Sequence, residues 1–197
     1  MTMPTPLPVT IGISACLMGE KVRYDGGHKH DRYVADILGR FFRIIPVCPE
    51  VGCGLPVPRE AMGLELDGGS LRLVTITTRI DHTDRMLAWC EHEVAELELE
   101  NISGFVFKKN SPSSGLNDVP VYRMGMPDMV GRGLFANAVT ERFPNLPEEE
   151  AEQLHDQALM KDFIERVFAY RRWQELYQWQ KRPQAPPPGR ITMNEQG

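Results

Sequence analysis

Three short stretches carry the residues most suited to chemistry. The first is Cys48-Pro49-Glu50, which follows the apolar run Phe41 to Val47 and precedes a loop crowded with Gly and Pro. Pro46 and Pro49 lack a backbone donor, so regular pairing should stop there, and Gly52 and Gly54 permit a sharp turn. A soft sulfur ligand and a carboxylate are thus expected on a stiff loop at a strand tip. Two other stretches follow the same plan: Ile11 to Cys16, and Gly104 to Gly115, which ends in Asn110-Ser111-Pro112-Ser113-Ser114-Gly115. Thiolates gathered from such tips suit an iron–sulfur cluster or zinc. No CxxC pair exists, so a zinc ribbon or finger is not expected. Cys16 and Cys48 are equally readable as small buried residues.

Other reactive side chains have blander readings. Cys90 falls on the apolar face of an expected helix and reads as core. Cys53, on a Gly-flanked turn, reads as a loop residue near the site. His28 and His30 beside Asp31 look like a metal pair, but they adjoin a helix start and read as a solvated, charged surface. Arg23 and Asp25 suit either turn chemistry or substrate contact. Arg171-Arg172 with Trp173 would suit RNA, but reads better as a solvated helix face.

The elements that must position these groups follow from periodicity. Residues 10–16 read as a buried strand, followed by the loop Leu17 to Gly27 with Lys21, Arg23, Tyr24 and Asp25. Helical spacing covers Tyr33 to Phe41, and Phe41 to Val47 is a second strand. Residues 54–69 read as a Pro/Gly-rich loop with Arg59, Glu60 and Glu65. Leu71 to Thr78 alternates as a strand or hairpin arm. A helix over His82 to Glu100, with Asp81 as N-cap, should bury Leu87, Cys90, Val94 and Leu97. Phe105 to Lys108 is a third strand, and Gly133 to Phe143 a helix. Glu148 to Gln180 reads as one or two helices, with the acidic run Glu148–Glu150 at a positive helix end. The expected fold is α/β: a small Rossmann-like parallel sheet with helices on both faces and a C-terminal helical extension. Parallel strands end together, which would bring the three tips to one edge. The expected organisation is an α/β domain over 9–147, a helical extension or linker over 148–181 and a stiff, solvated, Pro-rich flexible tail over 182–197.

Composition narrows the function classes. The 197 residues are 42% hydrophobic and 25% charged, typical of a globular protein with a real core. No apolar run approaches the ~20 residues of a membrane span, and no signal peptide is visible, so a cytoplasmic protein is expected. Four cysteines in that setting point to ligands, reactive thiols or core residues rather than disulfides. A net charge of −5 gives no global attraction to nucleic acid.

Three motifs in order now support a comparison. Ile13-Ser14-Ala15-Cys16-Leu17-Met18-Gly19 with Val22-Arg23-Tyr24-Asp25-Gly26, then Pro46-Val47-Cys48-Pro49-Glu50 with Gly54-Leu55-Pro56-Val57-Pro58-Arg59, then Asn110 to Gly115, resemble the thiouracil desulfidase (TudS) family over about residues 9–145. Asp162 to Trp173 also resembles the segment that leads to a second helical domain in longer relatives, which look like 4-thiouridine desulfidases acting on RNA; that second domain is missing here. The resemblance implies a 4Fe-4S cluster on three cysteines, with one iron open to a thiocarbonyl sulfur. It implies Cys16 and Cys48 as ligands, Glu50 as acid–base group, and Ser111 and Ser113 as groups that orient water or substrate. Arg23, Tyr24, Asp25 and Asn110 are the candidate substrate contacts. The implied substrate is a thiolated pyrimidine, 4-thiouracil or 4-thiouridine, free or within RNA such as tRNA.

One departure stands out. Where the family has its third cysteine, this chain has Ser114, whose hydroxyl is far harder to deprotonate than a thiol. A cluster should then be weakened, lost or completed otherwise. Three explanations stay open: an engineered substitution, a natural inactive branch, or replacement by Cys53. The rival readings are a cluster-free module that binds pyrimidines or RNA without catalysis, and a zinc-binding structural protein.

Overall fold

The computed structural model describes residues 8–181. The Pro-rich tail expected over 182–197 lies outside the described residues. The chain runs β1 (Thr10–Ser14), α1 (Arg32–Leu38), β2 (Arg43–Val47), α2 (Pro49–Gly52), β3 (Met62–Asp67), β4 (Ser70–Thr75), α3 (Thr83–Leu99), β5 (Ile102–Phe107), β6 (Val119–Arg123), β7 (Met126–Gly131), α4 (Leu134–Arg142), β8 (Glu148–Glu150) and α5 (Gln157–Lys181). Short 3-10 turns cover Ala15–Met18 and Gln153–His155.

The main sheet has the order β2-β1-β5-β8, with every neighbouring pair parallel. Its two central strands are buried at every residue, which is why they read as unbroken apolar runs. Pro46 is tolerated because β2 is an edge. Side chains alternate between two cores. Ile11, Ile13 and Val106 pack with Val34 and Leu38 of α1 and Met160, Phe163 and Val167 of α5. Phe105 and Phe107 face the other way, onto Met86, Cys90 and Leu97 of α3 and Phe135 and Val139 of α4. Each fully buried side chain of this size stabilises the fold by roughly 1.5–3 kcal/mol. Gly12 is required between the layers, because a Cβ there would strike the ring of Phe105. The α/β architecture with helices on both faces and a C-terminal helix is therefore the expected one.

Several local expectations are corrected. Part of the stretch expected as loop over 54–69 is β3, which forms a hairpin with β4. A second four-stranded sheet, β4-β3-β6-β7, stands beside the first. The acidic run Glu148–Glu150 is not a helix start but β8, an edge strand paired with β5. Charge on an edge strand discourages pairing with another chain. The boundary expected after residue 147 thus falls just before a strand of the main sheet. In α3, Met86 is buried and Leu87 is exposed, a rotation of the apolar face by one residue. His82 rather than Asp81 occupies the N-cap position, and Asp81 Oδ1 instead accepts the Thr83 N–H at 2.8 Å. No helix among the described residues is long and apolar enough to cross a membrane.

Candidate active site

The carboxyl ends of β1, β2 and β5 meet at one edge, and a cavity of about 150 Å³ opens there. Each wall has a local cause. After β1 the chain tightens into the 3-10 turn, which carries Cys16 and closes on Gly19 in the left-handed region (φ 91°). After β2, Cys48 sits at the N-cap position of α2 and Pro49 follows at the first helical position, where a missing N–H costs nothing. Glu50 lies in that first turn. Arg85 of α3 pins the end of α2 through the Cys53 and Gly54 carbonyls.

The third wall is the turn after β5. Lys108 N–H donates to Ser14 Oγ at 3.0 Å, tying the tips of β5 and β1 together. Asn110 takes a left-handed conformation (φ 58°) that asparagine tolerates. Ser111 Oγ accepts the backbone N–H groups of Ser113 (3.3 Å) and Ser114 (3.1 Å). The Ser113 carbonyl accepts the Phe135 N–H at 2.8 Å, which docks the turn on α4. Only glycine fits at 133, since a Cβ there would come within 2.5 Å of the Ser113 backbone.

Cys16, Cys48 and Ser114 all line the cavity, as do Glu50, Ser111 and Ser113. Arg23 and Tyr24 reach it from the first loop, and Asn110 from the third. Asp25 does not line it. Its Oδ1 accepts the Gly27 N–H at 2.9 Å, which holds its carboxyl below the usual range, so it serves the turn. Cys53 does not line it either. It is 7% exposed and packs in the core with Met86 and Cys90, its thiol donating to the Glu50 carbonyl.

The electrostatics follow from burial. Burial pushes the Cys16 thiol up to about 11, with the neighbouring Cys48 adding to it and Arg23 and Lys108 opposing. Burial also raises the Cys48 thiol, against hydrogen bonding from the Val51 N–H. Both are therefore thiols at neutral pH in the metal-free protein, and a metal that binds them must displace protons. Among the described residues, no group of three His, Cys, Asp or Glu side chains is placed to hold a metal ion.

Glu50 is fixed at both oxygens. Oε2 accepts from Arg59 Nε at 2.8 Å and pairs with Arg59 Nη2; Oε1 accepts from Ser113 Oγ at 2.8 Å. Ser113 Oγ lies 3.0 Å from Ser111 Oγ, so carboxylate and hydroxyls form a chain along one wall. Arg23 Nε is buried and makes no hydrogen bond; its nearest acceptor is Asp25 Oδ1, an ion-pair contact at 3.6 Å. Arg59 and Lys108 line the cavity without having been singled out in the sequence. The available signal was that Arg59 stands alone as a cation in a stiff Pro-rich loop, and that Lys108 ends an apolar strand.

Comparisons with known proteins identify the family. The family model described as 2-thiouracil desulfurase matches residues 11–151. Among solved structures, a [4Fe-4S]-dependent thiouracil desulfidase, TudS, is 30% identical, with a TM-score of 0.60 over 78% of this chain and 98% of that one. No curated protein matches the chain. The matched span holds β1 through β8 and every cavity residue named above, and on that ground the chain belongs to the 2-thiouracil desulfurase family.

Proposed function

We propose that this chain is an iron–sulfur-dependent desulfidase that converts a thiolated pyrimidine, 4-thiouracil or 4-thiouridine, to the oxo base, and that Ser114 impairs it. The observation that carries the reading is the convergence of Cys16, Cys48, Ser114 and Glu50 on one cavity from three separate strand tips. The donor set fits a 4Fe-4S cluster at two corners, where Cys16 and Cys48 present thiols. At the third corner Ser114 presents a hydroxyl, a hard donor that stays protonated at neutral pH. When bound, such a cluster supplies a soft Lewis acid for a thione sulfur and leaves the attached carbon electron-poor.

The protein's own groups then have separate tasks. Glu50 Oε1 takes a proton from the attacking water, either directly or through Ser113 Oγ, as the water oxygen bonds to the thione carbon; the carbon–sulfur bond then breaks and the sulfur leaves at the sulfide level, with no net redox change. Ser111 and Ser113 hold that water and the substrate edge against the β5 turn. Arg23 Nε, buried and with only the Asp25 carboxylate 3.6 Å away, donates to an acceptor that arrives with the substrate. Tyr24 offers an aromatic face to the base, and Asn110 an amide to its polar edge. The free base or nucleoside is preferred to tRNA, because the cavity between the strand tips is small, about 150 Å³. The catalytic unit runs from β1 through β8, and α5 packs on it through Met160, Phe163 and Val167.

Anaerobic reconstitution with iron and sulfide tests the reading. The expected result is weak charge-transfer absorbance and slow release of uridine from 4-thiouridine in the chain as it stands, both rising in Ser114→Cys. A Ser114→Cys protein that gains no iron and turns over no thiouridine would overturn it. Ser114 itself favours a second reading, a cluster-free module that binds pyrimidines or RNA. That reading expects a colourless protein that binds uridine equally well before and after reconstitution.

A further inference from the structure

Arg59 is only 5% exposed at its side chain, and its acceptors come from two segments that are far apart in sequence. From α2 it takes the Glu50 carboxylate, through Nε and Nη2. From the first loop it takes the Val22 carbonyl through Nη2 at 2.8 Å, and its backbone N–H donates to the Tyr24 carbonyl at 2.8 Å. Its Nη1 donates to the Pro56 carbonyl at 3.2 Å, which anchors its own loop. Cys48 Sγ also points to the Val22 carbonyl, at 3.8 Å. The planar fork of a guanidinium can hold several acceptors at fixed angles, which an ammonium cannot.

We propose that Arg59 is a positioning residue that locks the carboxylate of Glu50 and the loop bearing Arg23 and Tyr24 into one unit. With Oε2 held by Arg59, Oε1 is the oxygen left to face Ser113 and the cavity. The same side chain fixes the loop that would contact the substrate, so acid and substrate contacts keep one spacing. The role for the acid rests on the desulfidase reading; the mechanical link does not.

Amide hydrogen exchange on the metal-free protein tests the link. In Arg59→Ala, the amides of Arg23 and Gly26, which close the first loop onto Gly27 and Arg23 carbonyls, should exchange about tenfold faster or more, while β5 amides keep their rates. Millimolar methylguanidinium should restore slow exchange, and methylammonium should not. Arg59→Lys should be intermediate, and is read by the same criterion if Arg59→Ala fails to fold. Unchanged rates at Arg23 and Gly26, or rates that rise in step with β5, would mean an ordinary structural ion pair and overturn the proposal. A second arm uses reconstituted Ser114→Cys protein. There, adding Arg59→Lys should lower kcat about tenfold at unchanged iron content, because a misaligned base slows proton transfer. An unchanged kcat overturns the positioning of Glu50. If the Ser114→Cys protein with Arg59 intact shows no turnover, the desulfidase reading fails while exchange still decides the link.

Discussion

The four cysteines form two pairs whose surroundings differ sharply. Cys16 and Cys48 sit half-buried at strand tips and look into the cavity, whereas Cys53 and Cys90 lie in the core between α2 and α3. Burial raises all four thiols, and Cys90 reaches about 12. Acidity therefore does not separate the pairs. What separates them is the free space in front of the sulfur, since each pair has its second thiol close by. A cysteine at the carboxyl end of a parallel strand can be a ligand, while one on an apolar helix face fills volume.

The largest expected effect removes the cavity pair. In the Ser114→Cys background, Cys16→Ala should abolish both bound iron and thiouridine turnover, measured by iron content and product release. Full iron content in that protein would erase the distinction between the pairs. Next in size is Ser114→Cys alone, which should raise iron content and turnover together. A rise that instead depends on Cys53 would make Cys53 a ligand, against its placement in the core. Smaller still is Cys90→Ala. It should cost about 1 kcal/mol in denaturant unfolding, from lost packing in the α3 core, with iron loading of the Ser114→Cys protein unchanged. The finest test is alkylation of the metal-free protein. Cys16 and Cys48 should react before Cys53 and Cys90. With the Cys16 thiol near 11, only its small thiolate fraction reacts at pH 8, so its rate should climb about tenfold per pH unit toward pH 10. A rate that levels off between pH 9 and pH 10 would show a thiol of ordinary acidity.

The sequence disclosed the cavity pair better than the second sheet. Each strand tip is marked by an apolar run that breaks at Cys16, at Cys48-Pro49 or at Lys108, so position and chemistry coincide. Cys90 also showed its core role, lying four residues before Val94 and seven before Leu97 on one helix face. The hairpins were harder to see. Gly68 and Gly69 both adopt left-handed conformations between β3 and β4, a turn signal hidden within a Pro/Gly-rich stretch. Between β6 and β7 the turn is Met124-Gly125, and methionine at φ 49° is not a residue that announces a hairpin. Pro120 and Pro127 interrupt the alternation of those strands further. The β8 run of three glutamates reads locally as a helix start, and only its pairing with β5 makes it a strand. Arg59 stands in the second motif and as the lone cation of its loop, but its role was not legible, because its partners Glu50 and Val22 are brought to it by the fold alone.

The tie between Lys108 N–H and Ser14 Oγ has a consequence for synthesis on the ribosome. It joins a strand made early to one made much later, and the turn that follows is seated only when Phe135 has arrived to meet the Ser113 carbonyl. No nascent fragment ending before α4 can present its three cavity corners at their final spacing. Non-local pairing of this kind is slow to form. On the desulfidase reading, the cavity is ready for a cluster only once the chain has emerged past α4.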